Sequence, residues 1–404
     1  MEFFKQPNLD WMGKAKFFFA LSGVLLLLGL TSWLMKGRSL QYGIDFKGGT
    51  LVRVKFAQPP DVDKVRADLA QQGLGKSEIQ KISDIANPNA NEIAIVLEEQ
   101  GDGEQALDAG RTRIVRALNA TYGSKDPGKP DFNAATPAEV AQVLIQRDPL
   151  SAGTSAAQRY TQLARRLTDF RDKNANGVLT SLDQLSGVAG TTPAVTGILK
   201  SAYSLGTFAI GGVEIVGPKV GAELRRQAVL VTLYALGGML VYIAFRFEWI
   251  YGAAAVLAVF HDVLITLGFF SLFKFEISLT VIAALLTLVG YSMNDTIVIF
   301  DRIRENRRLL RKEAFAGIVN TSINQTLSRT ILTSGLTFLT VLVLFLMGGQ
   351  VLRAFSFALT VGIVVGTYSS FGIAAPLVVA WYRWRTPGAA VVAGAAASNK
   401  ARSS

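Results

Sequence analysis

Apolar residues fill six long stretches of the chain almost without interruption, and between the first and the second the pattern switches to short, alternating segments. The stretches lie at residues 17–35 and at about 229–246, 250–273, 278–300, 330–347 and 354–382. About 20 consecutive apolar residues cross a bilayer as a helix, so the pattern predicts six transmembrane helices. The first is not read as a cleaved leader. A leader's apolar core runs to about 7–15 residues and is followed by small residues at the cleavage site, whereas Met35-Lys36-Gly37-Arg38 follows here. The last stretch is long enough to tilt or to end in the interface. Trp381, Tyr382 and Trp384 at its end predict an aromatic belt.

Residues 36–227 read as one α+β domain. Leu51–Phe56 alternates apolar and charged positions, which predicts a strand. Asp61–Gln72 places Val62, Val65 and Leu69 on one helix face. Glu78–Ile85 and Glu92–Leu97 read as strands, Gln105–Leu118 as a helix and Phe208–Val216 as a last strand. The order β-α-β-β-α-β is the ferredoxin-like pattern. An Ala-, Gln- and Arg-rich stretch at about 122–205, mostly helical on pattern, reads as an insertion before the last strand. The predicted fold class is a polytopic α-helical membrane protein. Six transmembrane helices carry a large α+β, ferredoxin-like extracytoplasmic domain between the first and second. Residues 1–16 form the N-terminus, 301–329 a connecting loop, and 386–404 an Ala/Gly/Ser-rich tail predicted to be disordered.

Composition agrees with a mixed protein: of 404 residues 50% are hydrophobic and 18% charged, too apolar for an ordinary soluble chain and too charged for spans alone. The net charge of +11 would suggest nucleic acid in a soluble protein. Here Lys and Arg border the apolar runs, so the membrane accounts for them and no nucleic-acid partner is expected. Lys14, Lys16, Arg246, Arg302, Arg304, Arg307, Arg308, Arg311, Lys312, Arg383 and Arg385 fall on one side, against Lys274 and Arg353 in the short loops of the other. The positive-inside rule therefore puts both termini in the cytoplasm and the large domain outside it. With no cysteine and one histidine, disulfides and multi-His or Cys metal sites are excluded.

Ionised groups in hydrocarbon cost about 2.5–3.5 kcal/mol even on mild scales, and are functional by default. Three ionisable residues fall inside predicted spans: His261 and Asp262 in the third, Asp295 in the fourth. Tyr291 and Ser292, four and three residues before Asp295, share its helix face and could hydrogen-bond to it; Asn294 adjoins it. A carboxyl there suits a proton relay; the alternative is a structural acid bonded across helices. Thr326, Thr330, Thr333, Thr337 and Thr340 step by four and three into one polar stripe, with Arg329 beside it. The stripe could order water near Asp295 with Arg329 tuning its charge, or the threonines could pack and Arg329 snorkel. His261 and Asp262 point about 100° apart and need not touch; they read as a second relay station or as packing and subunit contact. Gly362, Gly366 and Ser370 repeat at i+4 and predict close helix packing. Asp172–Asp183 matches an EF-hand loop (Asp172, Asn174, Asn176, Thr180, Asp183, with Gly177 at the turn) apart from its short last residue. With two carboxylates and no paired hand, it reads as an Asn/Gly turn and no metal is assigned. No phosphate-binding Gly-rich Lys motif and no hydrolytic triad is present.

Several segments resemble a known family. Tyr42-Gly-Ile-Asp-Phe-Lys-Gly-Gly-Thr50, with Gly43, Asp45, Gly48 and Gly49, is similar to the signature following the first span of SecD and SecF proteins. Val216–Gly221, Phe245–Trp249, His261-Asp262, the segment around Asn294-Asp295 and Asn320–Ser334 resemble the SecF branch of that family, which belongs to the resistance-nodulation-division (RND) superfamily. The resemblance implies a SecD partner, a complex with the SecYEG channel, and use of the proton-motive force to help move unfolded exported chains. Protons are then the coupling ion, with no other cofactor. It carries the family's membrane acid onto Asp295 and its membrane arginine onto Arg329. The signature has Lys47 where many members carry Thr, and the insertion has no family role. The alternative function is a non-catalytic scaffold that stabilises the translocon complex and tolerates Asn at position 295.

Overall fold

The computed structural model describes residues 7–35, 40–82, 91–98, 104–124, 126, 128–151, 153–174, 177–246 and 248–385. The predicted tail, residues 83–85 of the predicted second strand, and Asn176 lie outside the described residues. Helix α1 (Ala15–Leu34) is followed by β1 (Gln41–Tyr42), the short α2 (Ile44–Lys47), β2 (Gly49–Phe56), α3 (Val62–Gln71), β3 (Glu78–Ile82), β4 (Glu92–Leu97) and α4 (Glu104–Tyr122). Then come α5 (Pro137–Arg147), α6 (Ala156–Asn174), α7 (Pro193–Ala202) and β5 (Phe208–Val216). The remainder is α8 (Pro218–Arg246), α9 (Trp249–Phe273), β6 (Glu276–Ile277), α10 (Leu279–Leu309), α11 (Phe315–Met347) and α12 (Gly349–Ser369). A π-helical segment, Ser370–Ala374, leads into α13 (Ala375–Arg385). The chain packs as two units, Ile44–Leu224 and the segments flanking it.

In the first unit, β3-β4-β2-β5 form one sheet with every neighbouring pair antiparallel. With α3 and α4, this is the β-α-β-β-α-β order read from the sequence. Alternation along β2 turns Val52, Val54 and Phe56 into the core. They meet Val65 and Leu69 of α3, Ile93 and Ile95 of β4, Ile114 and Leu118 of α4, and Phe208 of β5. Asp61 starts α3 by accepting from the Asp63 and Lys64 backbone N–H groups.

The signature glycines are dictated by space. Gly48 and Gly49 have φ of +76° and +134°, where side chains are strained. A Cβ on Gly48 would lie 2.7 Å from Pro218 Cα, and one on Gly49 would lie 2.3 Å from the Leu97 carbonyl oxygen. Lys47 also has a role here: its ammonium pairs with Glu98 at 3.0 Å and Glu78 at 3.7 Å, pinning α2 to the β3–β4 end of the sheet.

The inserted stretch has its own core, built around Phe132, Leu144, Tyr160, Leu167, Leu185, Val195 and Leu199. Its ends meet: the N–H and hydroxyl of Thr207 both donate to the Tyr122 carbonyl at 2.9 Å. Asn133 ties it internally, donating to the Leu179 and Gly206 carbonyls and accepting from Leu179 N–H. In the EF-hand-like turn, Asp172 is taken by Arg171 and Asp183 by Lys200.

Among the described residues six helices are long and apolar enough to cross a membrane: α1, α8 as far as Ile243, α9, α10, α11, and Val351–Arg385; apart from the start of α8, up to Leu224, they belong to the second unit. The helices outrun the apolar stretches. Residues 301–329, read as a loop, are helical except for the turn between Leu309 and Phe315. Charge ends an apolar run without ending a helix. Asn306 of α10 donates to Ser322 and Gln325 of α11, and Arg302 also donates to Gln325, so polar bonds carry the pairing past the apolar part. Small residues set the close crossings. Gly29 of α1 faces Gly268 of α9, and Gly362 and Gly366 of α12 sit against Leu288 and Ser292 of α10. Tyr382 is more than a belt residue: it donates to Glu248 and accepts from Arg307, joining α13, the start of α9 and α10. Ahead of α1, Leu9–Met12 lies on α11. Asn324 accepts from Trp11 Nε1 at 2.8 Å and donates to the Leu9 carbonyl at 3.0 Å, while Asn320 accepts from Met12 N–H.

Candidate functional site

Asp295 sits inside the helix bundle, 3% exposed. Its position follows from helical periodicity. Leu288, Ser292, Asp295 and Ile299 line the buried face of α10, and α11 crosses beside it. Ser334 Oγ of α11 donates to Asp295 Oδ2 at 2.8 Å. Among the described residues the carboxylate makes no ion pair. Arg329 lies on the exposed side of α11. It too makes no ion pair among the described residues. It lines a cavity of about 430 Å³ with Tyr242, Asp301, Arg302, Glu305 and Thr326. A shielded carboxylate held by one hydroxyl can change its charge without first breaking an ion pair.

The structure corrects several expected contacts. Ser292 does not bond Asp295; its single proton goes to Asp262 Oδ2 of α9 at 2.6 Å. Tyr291 keeps a buried hydroxyl with no hydrogen-bond partner among the described residues, and Asn294 faces away from the bundle. The threonine stripe divides. Thr326 and Thr330 are buried, Thr337 is half-buried, and Thr333 and Thr340 are exposed. The hydroxyls of Thr326, Thr333, Thr337 and Thr340 return to carbonyls of their own helix. The inward ladder is Ser322, Thr326, Thr330 and Ser334, at strict i+4 steps. Ser334 is the residue the sequence reading missed, and its signal was that spacing: four residues beyond Thr330, where Thr333 was chosen instead. His261 and Asp262 do touch, Nδ1 to Oδ1 at 2.9 Å. Their Cβ atoms diverge, but the imidazole is long enough to swing back.

Comparison with known proteins identifies the family. Residues 197–384 match the family described as protein export membrane protein SecD/SecF, C-terminal, and residues 39–60 match the SecD/SecF GG motif. The chain is 52% identical over 390 residues to the protein translocase subunit SecF of Koribacter versatilis, covering 95% of this chain and 94% of that one. It belongs to the SecF family. The SecF of Calditerrivibrio nitroreducens is 38% identical, with 92% and 93% coverage. The crystal structure of SecDF, a translocon-associated membrane protein from Thermus thermophilus, aligns with a TM-score of 0.63 at 34% identity. That alignment covers 93% of this chain and 39% of the SecDF chain. In this SecF chain the GG motif is the pair Gly48-Gly49, where backbone approaches too closely for a side chain. Asp262, Asp295, Ser292 and Ser334 all fall within the C-terminal family match.

Proposed function

We propose that this multi-pass membrane protein is the SecF subunit of a proton-driven protein translocase, and that Asp295 carries its proton. SecF and SecDF relatives supply the translocase role. That one Thermus chain joins SecD and SecF supports SecD as partner, with SecYEG and an unfolded exported chain completing the assembly. The basic residues on one side of the spans support cytoplasmic termini in the bacterial inner membrane, and an extracytoplasmic position for the unit Ile44–Leu224. The observation that carries the reading is a buried carboxylate with one hydroxyl partner and, among the described residues, no bound cation. When Asp295 takes a proton, its grip on Ser334 changes from ionised to neutral, and α10 and α11 repack. With Arg329 five residues from Ser334 on α11, that repacking also moves a cation relative to the acid. The repacking passes to the large domain, which holds or releases the chain in transit.

The test is export into vesicles by an assembled complex carrying Asp295→Asn. Asn keeps the size and a hydrogen bond but not the proton chemistry. Loss of proton-dependent export with assembly intact is expected. Normal export would show instead a structural acid in a scaffold.

A further inference from the structure

The geometry points to a second proton-holding site in this chain, the His261–Asp262 pair, bound into the crossing of α9, α10 and α12 three residues along α10 from the Asp295 centre. It rests on the reading of the chain as proton-coupled and adds a separate group to it. The Asp262 side chain is 1% exposed and that of His261 10%. Three groups converge on the one carboxylate: Ser292 Oγ at 2.6 Å and Ser369 Oγ at 2.8 Å on Oδ2, and His261 Nδ1 at 2.9 Å from Oδ1. With Nδ1 committed, the ring keeps Nε2, which is buried and without a hydrogen-bond partner among the described residues.

Two charge states are both provided for. With a proton on Nε2 the pair is imidazolium and carboxylate, of net charge zero, which a low-dielectric site tolerates better than a carboxylate with no partner charge. With Nε2 bare the ring is neutral, and three hydrogen bonds, two of them from hydroxyls, support the lone carboxylate. A structural acid needs only one of these states. A buried nitrogen with nothing to bond calls for a role, and taking up a proton is the chemistry an imidazole offers.

The surroundings link the pair to the relay. Tyr368 of α12 stands edge-on to the ring with centroids 6.1 Å apart, and its hydroxyl meets Ser22 of α1 at 3.1 Å. On α10 the ionisable neighbours of Ser292 are Tyr291 and Asp295. Helix α1, packed on α9, carries only Lys16, in its first turn. The charged residues of α13, Arg383 and Arg385, are in its last turn, beyond Trp381, which meets Trp249 edge-on about three turns of α9 away. Helix α10 is thus gripped from two sides, by Asp262 through Ser292 and through Asp295 by Ser334. The contact is tight: a Cβ on Gly366 would lie 2.9 Å from Ser292 Cβ and 3.5 Å from Asp262 Oδ2. Helix α12 turns π-helical at the residue after Ser369, a distortion common at functional sites.

The chain has a single histidine, so nitrogen-15 labelling of histidine reports this imidazole alone. The experiment is nuclear magnetic resonance of the full labelled chain, assembled with unlabelled partner subunit in lipid nanodiscs. Nε2 should pass between protonated and bare forms as pH is varied, and Asp262→Asn should displace that transition. A wild-type ring that keeps one protonation state throughout overturns the proposal, and that result depends on no variant folding. So does a midpoint that Asp262→Asn leaves in place. Export by the Asp295→Asn complex is judged separately. Loss of export with a fixed His261 removes the second site and leaves the relay standing, and the reverse combination does the opposite.

Discussion

Asp295 and Ser334 show how little holds the candidate site together: one hydroxyl proton, at 2.8 Å. Removing it leaves a buried carboxylate short of a donor, at a cost of about 1–3 kcal/mol. Ser334→Ala should therefore weaken proton-dependent export part-way, less than Asp295→Asn does, with assembly retained; parallel vesicle assays check this. Asp295 was legible in the sequence because an acid inside an apolar run is costly wherever the helix turns. Ser334 was not, because the helix offers two ladders from Thr330 and only packing against α10 decides which faces inward. Gly49 is a different case, needing both positive φ and the absence of a Cβ. Gly49→Ala should cost about 2 kcal/mol or more and lower the thermal midpoint of the Ile44–Leu224 unit by about 4–8 °C, read by scanning calorimetry of the purified chain.

At the level of helices and strands, periodicity located the elements well and their ends poorly. The strand Phe208–Val216 was read to the residue, since apolar β sequence stops at Gly217-Pro218. Helices α10 and α11 were read too short, because hydropathy marks the lipid-matched part and not the polar turns that Asn306, Gln325 and Arg302 hold together. The small-residue ridge of α12 was legible, and its partner ridge on α10 was not. Gly366→Ala should overpack that crossing by about 1–3 kcal/mol, seen as a lower unfolding midpoint in detergent. The Leu9–Met12 segment had no periodic signal, since its anchor is two asparagines a turn apart on α11. Asn324→Ala should free it, and hydrogen exchange at Leu9, Trp11 and Met12 should quicken while that within α10 does not.

For the whole molecule, pH acts on more than the membrane. Lys200, at 2.6 Å, and the Ser181 hydroxyl hold the Asp183 carboxyl below its usual range. A depressed folded value means that its stabilising effect is present above the unfolded pKa, near about 3.9, and is lost as pH falls through the folded one. Asp183→Asn should flatten the acid dependence of unfolding of the Ile44–Leu224 unit as pH falls below about 4. Calcium should leave the wild-type midpoint unmoved, because Lys200 and Arg171 already occupy the two acids of that turn; a calcium-dependent rise would restore the EF-hand reading. The meeting of Tyr122 with Thr207 has a practical corollary. A segment that leaves α4 and enters β5 at one shared carbonyl is a cassette. Excising 123–206 and splicing in a short turn should keep the four strands in register, and another module could be grafted at the same seam without disturbing them.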